Sequence, residues 1–541
     1  MKKIVLLFLI IVSRFNAQSP WVWARSINSL DFETARCITT DPSGNIFAAG
    51  RFTGPSLKVG TYTLTNIFAT RDDIFLAKYD PNGNAIWAKS FGGFEHEDIH
   101  DIAIDSIGNC TILGEFASPY IGFGSFGFFN SGPSGTRDIF LVKLDSVGSV
   151  IWATTYGGNG EDYGFSFDTD TDGNIFFTGS FSSSSITLGT FTLNPSSSSS
   201  CFVAKSDPGG TIIWAQNSGS TGDIATDKSG CAYLTGSFGW ATATFGTITF
   251  TNTSLGSSTD AFIVKYDPDG ASVWGVASGG IYSEEMRSIK TDKAGNIYFT
   301  GNWFGASANF GGYSLSTPGI INSFVGKITP SGAIRWIRMI KNDTINYTYS
   351  LSTGKDGFLY VGGTFDCPIT LGTTTLSGTG RIKAYVAKYD TAGTALWGTC
   401  VSGNDVVQLC SIAANNNNEV YVYGMHDCTG LTFGSTTLSY DGNYDLYLAK
   451  LNGPFTGIHE NTAEQKTLLL YPNPNSGNFT ITGNFIKGSK LILTDMLGRE
   501  VYSQELTGGE NQILHSLSQG FYTYTILQNR NITHSGKMVV D

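Results

Sequence analysis

The chain has 541 residues, of which 67 are glycine, 13% are aromatic and only 14% are charged. This composition is typical of an exported, sheet-rich protein with many turns rather than of a helical one. The formal net charge is −11, and no block of Lys or Arg follows the first few residues. Because binding to phosphate needs clustered cations, the composition argues against nucleic acid and anionic membrane as partners.

Residues 1–17 have the features of a secretory signal segment. Lys2 and Lys3 precede the apolar run IVLLFLIIV, and Ala17 is a small residue at the end of the segment. Phe15 is larger than such cleavage sites prefer, which leaves the cut position open by a few residues. No other apolar run approaches the roughly 20 residues that span a bilayer, so the sequence predicts an exported protein without a transmembrane span.

A repeated frame, aromatic-x-x-Lys, organises the region that follows. It occurs seven times, at Phe75/Lys78, Phe140/Lys143, Phe202/Lys205, Phe262/Lys265, Phe324/Lys327, Tyr385/Lys388 and Tyr447/Lys450. Nine residues beyond the lysine of the first six copies stands a tryptophan, namely Trp87, Trp152, Trp214, Trp274, Trp336 and Trp397. The seventh copy has none, but Trp23 stands alone near the N-terminus. We therefore expect a closed ring in which the first strand completes the last unit.

Each unit also contains a turn followed by an alternating apolar stretch, as in DPSGNIFAAG (41–50) and DSIGNCTILG (105–114). Such a stretch, bounded by turns, predicts a strand. Turn residues also join the lysine to the tryptophan, as in YDPNGNAIW (79–87), and predict a hairpin. With a short apolar stretch in front, each unit of about 62 residues has four strands, A to D. Five units carry a further pattern between strands B and C, such as SLKVGTYTL (56–64), which predicts an extra hairpin on one face of the ring.

These patterns predict an all-β fold, a seven-bladed β-propeller with four-stranded blades over residues 18–452. A solenoid would need end caps, and a unit of about 62 residues is small for an independent domain. Neither alternative explains the displaced tryptophan. We expect the tryptophan rings to pack between adjacent blades.

The units also resemble a known family, the SBBP repeat of exported bacterial propellers. The resemblance rests on the motifs W-x-x-x-x-G-G, D-x-x-G-N-x-Y-x-x-G and F-x-x-K-Y-D, and it covers roughly residues 19–452. It implies the same seven-bladed fold. It transfers no catalytic residue.

A different organisation begins after residue 452. Residues 453–466 lack periodicity and are interpreted as a linker, and residues 467–541 are predicted to form a small β domain. The segments YPNPNSGNFTI (471–481), DMLGREV (495–501) and GKMVV (536–540) resemble the type A C-terminal sorting domain of type IX secretion. That resemblance implies a β-sandwich engaged by an outer-membrane secretion machine and often cleaved. It also implies a secreted protein, or one on the outer-membrane cell surface, delivered through the periplasm.

Two strings have the appearance of metal sites. His96 and His100 belong to an HExxH string, but four residues along a strand separate side chains by roughly 13 Å, so we expect no zinc site. Asp168, Asp170 and Asp172 precede a glycine as at the start of a calcium loop, although its later ligand positions lack carboxylates. The sequence leaves calcium open, and a turn that carries acids is the simpler interpretation.

Eight cysteines in an exported chain permit disulfides, but their spacing does not follow the repeat. Cys400 and Cys410 flank a predicted hairpin and are the best candidate pair. Cys367 and Cys428 stand at equivalent places in adjacent units and are interpreted as buried small side chains.

The sequence thus assigns no catalytic, cofactor-binding or metal-binding residue and no cofactor. It favours a surface or secreted protein for binding, adhesion or scaffolding, with the ligand surface at one end of the propeller channel and widened by the extra hairpins. The partners would be an extracellular protein or glycan and, for the C-terminal domain, the type IX machinery. The alternative is a secreted hydrolase of glycan or protein. An enzyme should break the repeat on one face with a few convergent polar residues, whereas a scaffold should have near-equivalent blades.

Overall fold

A computed structural model describes residues 21–195, 200–254, 258–280, 282–317, 319–441, 443–451, 469–471, 475–495, 499–528 and 531–541. The chain divides into two compact units, residues 1–453 and 454–541. The predicted signal segment (1–17) and linker (453–466) lie outside the described residues. Within the ranges given above, the regular structure consists of β-strands, and no helix there is long and apolar enough to cross a membrane.

In the described part of the first unit, antiparallel strands form seven four-stranded groups, here called sheets 1 to 7 and numbered in chain order. Sheets 1 and 2 comprise β2 (Glu33–Thr40), β3 (Ile46–Phe52), β6 (Asp73–Tyr79) and β7 (Ala85–Phe91), then β8 (Glu97–Ile104), β9 (Cys110–Phe116), β12 (Asp138–Leu144) and β13 (Val150–Tyr156). Sheets 3 and 4 comprise β14 (Asp162–Thr169), β15 (Ile175–Phe181), β18 (Ser200–Ser206) and β19 (Ile212–Ser218), then β20 (Ile224–Thr226), β21 (Ala232–Phe238), β24 (Asp260–Tyr266) and β25 (Ser272–Gly279).

The remaining sheets follow the same plan of strands A to D. Sheets 5 and 6 comprise β26 (Glu284–Thr291), β27 (Ile297–Phe304), β30 (Ile321–Ile328) and β31 (Ile334–Ile340), then β32 (Asn346–Thr353), β33 (Leu359–Phe365), β36 (Lys383–Tyr389) and β37 (Ala395–Val401). Sheet 7 comprises β38 (Val407–Ala414), β39 (Val420–His426), β42 (Asp445–Leu451) and, as its strand D, β1 (Trp21–Asn28).

The first strand of the chain closes sheet 7. Strand β1 pairs antiparallel with β42, with Trp23 opposite Lys450 and Ile27 opposite Leu446. The first strands of the sheets also contact one another in a circle, from β2 through β8, β14, β20, β26 and β32 to β38, which contacts β2 again. The head-to-tail pairing that the displaced tryptophan predicts is therefore confirmed, and the arrangement is consistent with a β-propeller.

Every described connection between strands B and C carries a short hairpin. The seven pairs are β4 (Ser56–Val59) with β5 (Tyr62–Thr65), β10 (Tyr120–Phe123) with β11 (Phe126–Phe129), β16 (Ile186–Leu188) with β17 (Phe191–Leu193), β22 (Thr242–Phe245) with β23 (Ile248–Thr251), β28 (Ser307–Phe310) with β29 (Tyr313–Ser316), β34 (Ile369–Leu371) with β35 (Thr374–Leu376), and β40 (Thr432–Phe433) with β41 (Thr436–Thr437). Strand β4 pairs with β1, and β28 pairs with β25, which is strand D of the preceding sheet. These two hairpins therefore extend the outermost strand of the sheet before them.

The lysine and the tryptophan of the repeated frame fasten most of the sheets to the next one, and sheet 4 gives an example. Lys265 and Trp274 lie opposite each other on strands C and D of sheet 4. The indole Nε1 of Trp274 donates to the carbonyl oxygen of Pro330 at 2.9 Å, and the Nζ of Lys265 lies 3.2 Å from the same oxygen. The ammonium also sits 5.2 Å above the ring of Tyr233, within the range of a cation–π contact.

The same indole contact to a C–D turn of the next sheet recurs around the described ring, at Trp23, Trp87, Trp152, Trp214, Trp274 and Trp336. The turn must approach the indole closely. At Gly332, where φ is +87°, an added Cβ would lie 3.0 Å from the Trp274 ring. The prediction that the tryptophans pack between adjacent units is confirmed.

Buried acid pairs lie at four joints between described sheets. The first residue of strand C in one sheet faces the first residue of strand A in the next, and each is at most 1% exposed, in the pairs Asp73/Glu97, Asp138/Asp162, Asp260/Glu284 and Asp445/Glu33. Burial, reinforced by the charge of the paired Asp260, raises the pKa of Glu284 to about 8. The equivalent residues between sheets 5 and 6 are the amides Asn322 and Asn346.

The second unit has its own core and its own sheet. Its strands are β43 (Leu469–Tyr471), β44 (Asn478–Thr494), β45 (Glu500–Leu514), β46 (Gly520–Gln528) and β47 (Asn531–Val540), joined in the order β43-β44-β46-β47 with β45 also paired to β44. The pairing joins all five described strands of the predicted β-sandwich into one continuous sheet. The reason is that β44 continues through irregularities between Thr482 and Ser489, so both of its halves cover one core that includes Phe479 and Leu493.

Candidate functional site

The first strands of six described sheets, together with Gly222 and Asp223 just before β20 of sheet 4, line one central cavity of about 540 Å³. We call this cavity the channel. Strand A of each sheet begins at one end of the channel and runs to the A–B turn at the other end, so the two ends are formed by different connections. The B–C hairpins leave from the end where the strands begin, and the A–B turns surround the other end.

A ring of short polar side chains ties neighbouring first strands together inside the channel. The backbone N–H of Phe167 donates to Asp101 Oδ2 at 3.0 Å, and that of Ile289 donates to Asp223 Oδ2 at 2.8 Å. Serine hydroxyls accept the same bond elsewhere, in the contacts Ile224–Ser166, Ile412–Ser350 and Ile38–Ser411. Each acceptor belongs to the sheet before the donor, so the ring joins sheets that share no strand pairing.

Charged side chains break the repeat at the centre of the channel. Lys290, on strand A of sheet 5, faces Asp101, Asp168 and Asp223. Burial alone would lower the pKa of Lys290, but the three carboxylates outweigh it and raise that pKa. Burial raises the pKa of Asp101 to about 6, against the opposing charge of Lys290. The positions equivalent to Lys290 hold Thr39, Ala103, Asp168, Ala225, Ser352 and Ala413.

A single hydroxyl bridges two of these acids. The Oγ of Ser166 lies 2.8 Å from Asp101 Oδ2 and 2.8 Å from Asp223 Oδ1. The three carboxylates and one ammonium give the middle of the channel a net negative charge. All four side chains are half-buried. This chemistry suits the binding of a polar or charged ligand group, since the cluster combines fixed charges with hydrogen-bond acceptors.

The predicted HExxH string does not form a metal site. His96 Nδ1 lies 2.7 Å from Asp72 Oδ2, whereas His100 Nε2 lies 2.7 Å from Glu115 Oε2 and lines the channel. Glu97 is a member of the buried pair with Asp73 and accepts a bond from the N–H of Gly93 at 3.0 Å. The two histidines therefore serve different ion pairs.

A cluster of possible ligands surrounds His100 in the described residues. Asp98, His100 and Glu115 each place one ligand atom within 4.8 Å of the others. However, Arg36 Nε donates to Asp98 Oδ1 at 2.9 Å, and Arg51 lies 3.3 Å from Asp98 Oδ2. Two guanidinium groups on one carboxylate oppose the approach of a cation, so the cluster is better described as an ion-pair network.

The acids of the calcium-like string are used separately. Asp168 accepts bonds from the N–H and the hydroxyl of Thr226 at 2.7 and 3.0 Å. Asp170 accepts from the N–H groups of Asp172 and Asn174, which is the turn geometry of the sister units. The carboxylate of Asp168 thus bonds to the next sheet, whereas that of Asp170 holds its own turn.

All eight cysteines are described, and each is a free thiol. The expected pair of Cys400 and Cys410 is therefore wrong. Cys400 lies on β37, the outermost strand of sheet 6, whereas Cys410 lies on β38, the innermost strand of sheet 7. Cys428 is buried as predicted, and Cys367 is only half-buried.

The hairpins lie at one end of the sheets, as predicted, but away from the channel mouth that they were expected to widen. They pack on outer strands, and within the described chain their residues do not line the channel cavity. They therefore fasten the periphery of adjacent sheets instead of widening the channel mouth.

Sequence reasoning missed the channel charges and a group of lysines beside them. Lys228, Lys293 and Lys355 occupy the same turn position in sheets 4, 5 and 6, in DKSG, DKAG and GKDG. With Lys290 they line a cavity of about 360 Å³ at the A–B turn end of the channel, here called the turn-side pocket. The recurrence of lysine in three consecutive turns was the available signal, but an isolated turn lysine usually indicates only a solvated surface.

Comparison with known proteins defines the C-terminal unit first. Residues 469–541 match the family described as the secretion system C-terminal sorting domain. The chain therefore ends in a sorting domain of type IX secretion, and the protein is secreted or located at the cell surface. The presence of this domain implies an interaction with the secretion machinery.

The ring has curated relatives of lower similarity. The chain is 24% identical over 533 residues to the uncharacterised WD repeat-containing protein L264 of Acanthamoeba polyphaga mimivirus, an alignment that covers 79% of this chain and 38% of that protein. A 90-residue segment is 29% identical to the regulatory protein FlaEY of Caulobacter vibrioides, covering 17% of this chain and 9% of FlaEY. The chain thus matches less than half the length of these relatives, and the first of them supports a repeat-built, propeller-like fold.

Solved structures show only distant likeness. An ACO/RPE65 chimera is 10% identical with a TM-score of 0.35, and the alignment covers 73% of this chain and 95% of the chimera. PorZ, a surface component of the type-IX secretion system of Porphyromonas gingivalis, is 11% identical with a TM-score of 0.14, covering 96% and 100%. A glucose dehydrogenase is 8% identical with a TM-score of 0.26, covering 60% and 95%. Scores this low carry no argument about function.

Proposed function

We propose that residues 18–452 form a seven-bladed propeller of the SBBP repeat type that acts as a binding and scaffolding module. The sorting domain delivers it to the cell surface or the medium, and an end of the channel holds the ligand. The ligand is an extracellular protein or glycan with polar or charged groups. Four strands in each sheet, the pairing of β1 with β42 and the circle of first strands support the seven-bladed arrangement.

One observation carries the binding function. The positions that fasten the sheets repeat around the ring, whereas the positions that line the channel differ between sheets and include the charged cluster around Lys290. Fastening positions need only local packing, so they keep one residue type. The charged cluster breaks the repeat, and by the criterion given above this keeps a secreted hydrolase of glycan or protein as the second candidate. We favour binding, because the charges of the cluster are engaged with one another and with Ser166, and ligand specificity needs a few placed polar groups in a concave site.

The test is a glycan and extracellular-protein array probed with the full chain and with a Lys290→Gln variant. We expect saturable binding by the native protein and at least tenfold weaker binding by the variant. Lys58→Gln is the matched control, because Lys58 is an exposed lysine of a peripheral hairpin. Equal binding by all three proteins would place the ligand away from the channel. An array with no ligand would reject the binding function.

Delivery is tested in the native host by deleting residues 469–541. We expect the shortened chain to remain in the periplasm and to disappear from the cell surface and the medium. Normal surface exposure of the shortened chain would contradict a delivery role for this domain.

A further inference from the structure

Four lysines and four aspartates line the turn-side pocket, namely Lys228, Lys290, Lys293 and Lys355 with Asp168, Asp170, Asp227 and Asp292. Lys228, Lys293 and Lys355 are exposed, and they project from the A–B turns of three consecutive sheets. The equivalent turn position in the other sheets is uncharged, being Pro42, Ser106, Thr171 and Asn416. The lysines therefore form an arc on one side of the channel end.

These three ammonium groups lack ion-pair partners in the part of the chain that the structure describes. Other lysines of the ring do have them, such as Lys78, which lies 3.3 Å from Asp41. The arc is thus left with positive charge that no side chain neutralises directly.

All four acids of the pocket are engaged elsewhere. Asp168 faces Lys290, and Asp170 lies 3.9 Å from Lys205 and accepts the N–H of Asn174 in its own turn. Asp292 Oδ1 accepts the N–H groups of Ala294 and Asn296, both at 2.9 Å, and its Oδ2 accepts the side-chain amide of Asn296 at 2.8 Å. Asp227 is held in the same way by Ser229 and by the hydroxyl of Tyr233. In sheet 6 the first turn position is Gly354, and the acid next to Lys355, Asp356, lies 3.3 Å from the ammonium of Lys388.

Lys290 forms the inner boundary of the pocket, and its charge is matched by the channel carboxylates. A ligand that enters from the A–B turn end therefore meets the three exposed lysines before the acidic centre of the channel. That order of charges favours an anionic group at the rim and repels it from the interior. Thr171 and Asn416, on other turns of the same pocket, offer hydrogen bonds to hydroxyl groups of the ligand.

We propose that the turn-side pocket binds an oxyanion, a phosphate or sulfate group held by Lys228, Lys293 and Lys355. The group is either a free inorganic anion or the charged end of a surface glycan. This inference rests on the proposed function, since it names the chemistry of the ligand and the end of the channel that receives it. An ammonium group is a strong point-charge partner for such oxygens.

The experiment measures binding of inorganic phosphate, inorganic sulfate, a sulfated hexasaccharide and the matching neutral hexasaccharide to the full chain by titration calorimetry at low salt. The test variant combines Lys228→Gln, Lys293→Gln and Lys355→Gln. The control variant combines Lys58→Gln, Lys89→Gln and Lys341→Gln, which removes the same charge elsewhere on the ring. Circular dichroism and the melting temperature of both variants show whether each has folded.

We expect the native and control proteins to bind an oxyanion, with at least tenfold weaker binding by the test variant and loss of binding as salt rises. Preference for the sulfated hexasaccharide over inorganic sulfate identifies a glycan end group, and equal affinity identifies a free anion. Absence of binding to all charged probes, equal loss in both variants, or equal binding of the neutral hexasaccharide would overturn the proposal. If an array ligand binds the test variant normally, the proposed function stands and this inference fails.

Discussion

Replacing Glu284 with glutamine tests whether the joint between sheets 4 and 5 holds a proton. Glu284 is 1% exposed, and both of its carboxylate oxygens lack a hydrogen-bond partner within the described structure. Burial, and secondarily the charge of Asp260, raises the pKa of Glu284 from 4.5 to about 8. The chain itself uses amides at the next joint, Asn322 and Asn346, so an uncharged side chain of this kind fits the architecture.

The sign and size of the effect follow from linkage. The folded state holds the proton more tightly than the unfolded state, so this stabilisation is complete below pH 4.5 and is lost as pH rises through about 8. At about 1.4 kcal/mol per pKa unit, the contribution of Glu284 to the free energy of unfolding falls by roughly 3.5 kcal/mol between pH 5 and pH 8. For a ring of about 430 residues this corresponds to a melting-temperature change of about 4 °C.

Glutamine stays uncharged at every pH in this range. We therefore expect Glu284→Gln to melt at the native temperature at pH 5 and about 4 °C above it at pH 8. Glu285→Gln is the matched control, because the neighbouring Glu285 pairs with Arg287 at the surface. Differential scanning calorimetry from pH 5 to pH 8 makes the measurement. Parallel profiles for native protein and Glu284→Gln would refute the idea of a protonated joint.

Three further changes test the fastening and the ring. Gly332→Ala should lower the free energy of unfolding by about 1–3 kcal/mol in a denaturant titration, because the new Cβ strains a left-handed backbone and clashes with the Trp274 indole. The control is Gly312→Ala, which has a similar φ but open space around it and should show the backbone strain alone. Deleting residues 21–28 should expose the edge of sheet 7 and produce oligomers in size-exclusion chromatography, which a monomeric product would contradict. Chelation should leave the melting temperature unchanged, and a loss of stability that disappears in a His96→Ala, His100→Ala double variant would show a metal site there.

The repeat made the ring predictable. Lys265 and Trp274 both hold the next C–D turn, and a tryptophan makes the same contact in six of the seven described sheets. Because the same contact needs the same spacing between lysine and tryptophan, the repeated spacing predicts the strands and the pairing of the Trp23 strand with sheet 7. The hairpins of sheets 2 and 5 were missed, because their strands at 120–129 and 307–316 lack the Thr-rich pattern although the turn glycines are present.

The channel could not be predicted in the same way. Asp101 and Ser166 lie in different units, and their contact depends on how adjacent first strands align across the channel. Single charges at non-repeating positions carry no periodic signal. The cysteine prediction failed because it relied on closeness in sequence. Cys400 and Cys410 are close in sequence, but they lie on the outermost strand of sheet 6 and the innermost strand of sheet 7.

The pairing of β1 with β42 also constrains the order of events during biogenesis. The strand that completes sheet 7 is made first, yet its partner is made last in the ring, immediately before the segment that leads to the sorting domain. The N-terminal strand must therefore wait, unpaired, while the intervening strands are synthesised. A prematurely terminated chain lacks both the partner strand and the export address, so an incomplete ring carries no signal for passage across the outer membrane.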